Sequence, residues 1–193
     1  MTKQMWRPMG LTALMTLGVT LAGCGMQGRM PVLQSALPAA LPMARALDAA
    51  TDLEKAFRAD AAKHGVNLTD AQFAQIKVER KVMPIGTFAN RPAENLTPEQ
   101  NLNVHFLKHG KEFPGLATQA DYLAAAIAFD SGKKGPVNFY FDTTSYAKGY
   151  QTHVVRWGAA SHEFSAVRAD GAVTTYYRND RVDAKRFVPV PAF

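Results

Sequence analysis

Cysteine is nearly absent from this chain. Among 193 residues there is one, Cys24, so no disulfide can close within the chain and the fold must hold by packing. Long apolar runs are also missing. The single extended one, Leu11 to Leu21, is shorter than the roughly 20 residues needed to cross about 30 Å of hydrocarbon. There is no G-x-S-x-G elbow, no phosphate-cradling P-loop, no repeat of fixed period and no run of one charge sign. Serine-hydrolase chemistry therefore has no support in the sequence, nor has P-loop chemistry. What is present suits one folded domain of ordinary size: 47 % of residues are hydrophobic, enough for a core. Lys and Arg number 22 against 16 Asp and Glu, a formal charge of +6. A mildly basic protein permits an anionic partner, RNA or a lipid surface, without requiring one.

The ends of the chain differ in character. Lys3 and Arg7 precede the apolar run, and Leu21-Ala22-Gly23-Cys24 follows it. A basic segment, an apolar segment and small residues form the pattern of a secretory signal. With a cysteine at the cut, this stretch resembles the lipobox of bacterial lipoproteins. The resemblance implies cleavage after Gly23, lipidation of the Cys24 sulfur and acylation of the new N-terminus. Residues 1–23 are then a signal peptide, and membrane lipid is a partner through Cys24. The mature protein would sit on an extracytoplasmic cell-membrane or outer-membrane surface, anchored and not threaded through it.

Residues 24–45 are rich in Ala, Pro, Gly and Met without sustained periodicity, which reads as a tether. Residues 46–96 read as a helical leader region. Leu47, Leu53 and Phe57 recur near helical spacing until Gly65, and Leu68-Thr69-Asp70 opens a second helix toward Val82. Residues 97–193 read as an α+β domain. Thr97-Pro98-Glu99-Gln100 is a helix start with a capping box, and Gly110 is expected as its C-terminal stop. Thr118 to Phe129 makes another helix. Strand-like runs follow at 137–141, 152–157, 163–168 and 172–178, the last two joined by the hairpin signal Asp170-Gly171. Helices first and antiparallel strands after them predict the α+β class.

Candidate chemistry concentrates on one helix. His105 and His109 are four apart and share a face, with Lys108 on the same side. Such a group can bind a phosphate and move a proton near neutral pH. It is also compatible with a solvated helix face. Histidines at i and i+4 are the ligand pair of zinc proteases, but Phe106 stands where the required glutamate would be, and no cysteine is at hand. No metal and no cofactor is expected. The aromatics Phe139, Tyr140, Phe141, Tyr146 and Tyr150 read either as core and sheet packing or as a stacking surface for bases.

The run His105-Phe106-Leu107-Lys108-His109-Gly110-Lys111-Glu112-Phe113 has the form HFxKHGxEF. A helix follows within about ten residues. Then come Glu163-Phe164, Asp170-Gly171 and Val173-Thr174-Thr175-Tyr176-Tyr177-Arg178. This order resembles the toxin-type nucleases of the barnase/EndoU/colicin/RelE-like superfamily. The resemblance covers residues 102–180 and implies helices packed on a twisted antiparallel sheet. It also implies metal-independent RNA cleavage, in which the 2′-OH attacks phosphorus and leaves a cyclic phosphate. By matching of motifs, His105 would be the base or acid. Lys108 or His109 would be the second group or a phosphate clamp, and Thr175 and Tyr177 would be hydroxyl donors. Arg156 would bind phosphate. Partners would be RNA and, for a toxin, an immunity protein.

Two functions remain open on these grounds. One is a lipid-anchored protein with a toxin-like RNase domain. The other is a non-enzymatic envelope lipoprotein that binds a ligand or an envelope protein. They differ in a structural consequence: the first needs His105, Lys108 or His109 to meet Thr175 or Tyr177 in one cleft.

Overall fold

The computed structural model describes residues 40–193, with side chains from Asp48 onward. The expected signal peptide, Cys24 and most of the expected tether lie outside the described residues. Helix α1 covers Ala40–Lys63, α2 Asp70–Lys81, α3 Pro98–His109 and α4 Gln119–Asp130. Strands follow: β1 Asn138–Asp142, β2 Val154–Trp157, β3 Glu163–Val167, β4 Val173–Arg178 and β5 Phe187–Pro189. The short helix α5, Thr143–Ala147, lies between β1 and β2. The fold is α+β, and the five strands form one antiparallel sheet in the order β4-β3-β2-β1-β5.

Local chemistry explains most of these boundaries. Thr69, Thr97 and Thr118 each close a capping box with the residue three further on: Gln72, Gln100 and Asp121. Each box satisfies two helix-start donors and contributes about 1 kcal/mol. Asp142 caps α5 by accepting the N–H groups of Thr144 and Ser145, both at 3.1 Å. The β3–β4 turn places Gly171 at φ +89°, a conformation glycine adopts without strain.

Cross-strand register assigns the sheet's faces. Phe139 and Phe141 of β1, Val154 and Arg156 of β2, Ser165 of β3 and Tyr176 of β4 share one face. Helices cover that face. Phe57 and Ala61 of α1 and Phe73 and Ile76 of α2 pack on Phe141, Val154 and Val188. Tyr122, Ala126 and Phe129 of α4 pack on Val167, Val173 and Tyr176. The opposite face carries Tyr140, Asp142, Val155, Phe164, Ala166, Thr175 and Tyr177.

Three expectations are corrected, and two elements are additional to them. Residues 40–45 are helical and belong to α1, not to a tether. Residues 46–96 are not a separate leader, because α1 and α2 share a core with β1, β2 and β5. Gly110 is not a left-handed stop. Its φ is −56°, and the chain continues into a 3-10 turn over Gly110–Glu112. Glycine is needed there for space, since a Cβ would lie 2.7 Å from the Phe106 ring. Finally, β5 and α5 were not foreseen. Strand β5 is three residues long and gains its place by pairing with β1, a long-range interaction.

Candidate functional site

The face of the sheet turned away from α1, α2 and α4 carries a buried apolar cluster of Val155, Phe164, Ala166 and Phe187 and forms the floor of a cleft of about 910 Å³, toward the upper end of the usual ligand-site range. Helix α3 forms one wall. It turns Leu102 and Phe106 toward the core shared with α4 and presents His105, Lys108 and His109 to the cleft. Thr175 and Tyr177 project from β4 beside Phe164, Ala166 and Val155. Thus five of the six catalytic and phosphate-binding candidates, His105, Lys108, His109, Thr175 and Tyr177, line one cleft. The residues that meet are about 70 positions apart, so this convergence is tertiary.

His109 is held from two sides. Its Nδ1 is 2.7 Å from Glu112 Oε1, and its ring stacks on Tyr177 with centroids 5.3 Å apart and planes at 28°. Glu112 is itself fixed, because its second oxygen accepts the Arg178 backbone N–H at 2.8 Å. A carboxylate accepting from Nδ1 directs the other ring nitrogen, Nε2, away from Glu112 and sets its role. Tyr177 in turn lies on Phe164, centroids 4.8 Å apart. Burial raises its phenol above the ordinary value, with Arg186 opposing.

His105 differs from its neighbour. Its ring is half-buried, 4.9 Å from Phe88 and 6.0 Å from His109 by centroid. Its buried Nδ1 has no hydrogen-bond partner. Burial, reinforced by the positive neighbours His109, Arg91 and Lys108, pushes its pKa down to about 4. His105 is therefore neutral at pH 7, and the same surroundings disfavour its protonated form. Lys108 is exposed and makes no ion pair among the described residues.

Around this centre the cleft is lined by Arg91, Arg168 and Arg186 as well, against the carboxylates Glu94 and Asp142. Each acid is already engaged: Glu94 by Arg91, and Asp142 by Arg186 through two bonds of 2.8 and 2.6 Å. Burial raises Asp142, but the bonds from Arg186 and Ser145 outweigh it and hold the carboxyl below its ordinary range. The arginines are engaged in turn, Arg91 with Glu94, Arg186 with Asp142 and Arg168 with Asp170, so of the four cations lining the cleft Lys108 has no ion pair among the described residues. Among the described residues, no group of three or more His, Cys, Asp or Glu is arranged to hold a metal ion.

Arg156 is the exception among the candidates. It is 2 % exposed and lies on the helix-covered face, across the sheet from the cleft. Its guanidinium bonds the Val82 carbonyl and stands 3.4 Å from Asp130. Asp130 also accepts from Ser165 Oγ at 2.9 Å. The assignment of Arg156 to phosphate binding is therefore corrected: it is a buried structural cation. Strand alternation puts Arg156 and Val155 on opposite faces, but periodicity does not say which face the helices take.

Three site residues escaped the sequence reading in these roles. Glu112 carried a usable signal, since it stands three residues after His109 across a short turn. Arg186 and Asp142 carried none, being 44 positions apart. Compared with known proteins, the chain matches no family model, no curated protein and no solved structure.

Proposed function

We propose that the protein is a metal-independent endoribonuclease carried on a lipid-anchored, extracytoplasmic chain. The observation that carries the reading is the convergence of His105, Lys108 and His109 with Thr175 and Tyr177 in one cleft. Cleavage of RNA without a metal needs a base for the 2′-OH, an acid for the leaving oxygen and donors for the phosphorane charge.

The two histidines divide these tasks. Neutral His105 takes the proton from the ribose 2′-OH as that oxygen bonds to phosphorus. His109, oriented by Glu112 and the Tyr177 ring, gives a proton to the departing 5′-oxygen as its bond to phosphorus breaks. The products are a 2′,3′-cyclic phosphate and a 5′-hydroxyl end. Lys108 and Thr175 line the same cleft and serve the non-bridging oxygens. The lipid anchor rests on the lipobox at Cys24, and RNA and an immunity protein are the partners such a toxin-like domain would meet.

The test is direct. The purified protein is incubated with mixed RNA in EDTA, beside His105→Ala. The expected result is cleavage ending in cyclic phosphate for the first and none for the second. A folded protein that leaves RNA intact would overturn this reading in favour of an envelope binding protein.

A further inference from the structure

Five aromatic residues lie between positions 139 and 150, and the structure treats one of them differently. Phe141 is fully buried, and Tyr146 packs edge-on against it at 5.4 Å. Phe139 sits under the guanidinium groups of Arg80 and Arg156, at 4.8 and 5.5 Å. Tyr140 meets Trp157 at 6.5 Å. Tyr150 is 57 % exposed, touches no other ring among the described residues, and lines the cleft.

An exposed ring at a cleft mouth stacks well only if it is held still. Tyr150 follows α5 on an anchored turn. Its N–H donates to the Ser145 carbonyl at 3.0 Å, and the Gly149 N–H donates to the Tyr146 carbonyl at 2.9 Å. Gly149 takes φ +69°, the left-handed conformation that lets the chain leave the helix there. The other end of α5 is capped by Asp142, which Arg186 clamps. The backbone beneath Tyr150 is therefore fixed before any ligand arrives, so less ordering entropy is lost on binding. Gln151 and Thr152 also line the cleft next to the ring. Their side chains can donate and accept at the edge of a flat heterocycle.

We infer that Tyr150 is a stacking platform for an unpaired nucleobase, which makes single-stranded RNA the substrate class of this cleft. This rests on the RNA-cleavage reading given above. The reasoning joins ring and charge. Arg91, Lys108, Arg168 and Arg186 line the same cleft; the arginines are paired with Glu94, Asp170 and Asp142, so a phosphate backbone would be met first by Lys108 and then by arginines that keep their carboxylates. A ring beside such a track meets bases, and every base offers a face to it. In a duplex those faces are stacked on one another, and a platform has nothing to receive. Tyr150 thus discriminates strandedness without reading sequence.

The test uses a short fluorescent oligonucleotide carrying 2′-O-methyl groups, which removes the nucleophile, so binding is read without cleavage. Anisotropy is measured with the purified protein, Tyr150→Ala and Tyr150→Phe, on the single strand and on the same strand annealed to its complement. The wild type is expected to prefer the single strand. Tyr150→Ala should weaken that binding about 5- to 150-fold, as loss of one stacked base does, with an unchanged salt slope because no charge is removed. Tyr150→Phe should bind as the wild type does, and duplex binding should not move. If the wild type binds the single strand and Tyr150→Ala binds it equally, the platform is refuted while the RNA reading stands. If Tyr150→Phe is as weak as Tyr150→Ala, the hydroxyl and not the ring is at work, and the platform is again refuted. If the wild type binds neither form, both the platform and the RNA reading fail.

Discussion

His105 offers a measurable link between stability and chemistry. In an unfolded chain its imidazole titrates near 6.5, whereas in the folded protein burial and the neighbouring cations lower it to about 4. Between those values the unfolded chain binds more protons than the folded one, so folding weakens as pH falls from 6.5 toward 4. At pH 7.5 the group is neutral in both states and contributes nothing. At pH 5 the full shift would cost about 2 kcal/mol, and solvent at the cleft reduces this to about 1–2 kcal/mol. The comparison is wild type against His105→Gln, which cannot titrate there. Urea unfolding, followed by tryptophan fluorescence, gives the stability gap at pH 7.5 and pH 5. The gap should shift by that amount in favour of the variant at the lower pH. Asp130 works in the opposite sense: burial raises it to about 6, so its contribution favours folding as pH falls through that value. Asp130 is common to both proteins and cancels in the difference. A gap that does not change with pH would refute the reasoning, since His105 would then titrate alike folded and unfolded. The same depressed pKa predicts that cleavage persists to about pH 5, with its acid limb near 4.

Two further outcomes follow from the geometry. Glu79 is 1 % exposed, and one of its oxygens accepts the N–H groups of His153 and Val154 at 2.8 Å each, fastening α2 to β2. Glu79→Ala would orphan both donors and should cost about 2–5 kcal/mol in urea unfolding, whereas a loss below about 1 kcal/mol would mean the strand finds other partners. Glu112→Ala frees the His109 ring and should lower the kcat of RNA cleavage about 10- to 100-fold with KM little changed. Glu112→Gln, which keeps an acceptor, should recover most of that rate, and equal rates for all three proteins would remove Glu112 from any positioning role.

Much of the fold was legible in short stretches of chain. Thr97, Pro98 and Gln100 announced α3 because a capping box is a contact across three residues. Asp170-Gly171 announced the β3–β4 hairpin because the turn's backbone demands such a pair. The alternation of β4 placed Thr175 and Tyr177 on one face before any partner was known. Strand β5, by contrast, exists because β1 offers it an edge. Residues 40–45 looked like a tether by composition, yet they continue α1. Gly110 looked like a stop and is instead a gap for the Phe106 ring.

The candidate site divides along the same line. Residue types and helical spacing set His105, Lys108 and His109 on one side of α3, because those relations are fixed by 3.6 residues per turn. Tertiary packing alone decided that α3 meets β4 beside the cleft, that Arg156 lies under the helices, and that Asp142 belongs to Arg186. It also left Tyr150 exposed while Phe141 was buried and Phe139, Tyr140 and Tyr146 were half-buried against other groups. The physical reason is range. Capping, turns and periodicity are settled within a few bonds of chain. Which face of a sheet is covered depends on how distant apolar surfaces are buried together, and that no local segment contains.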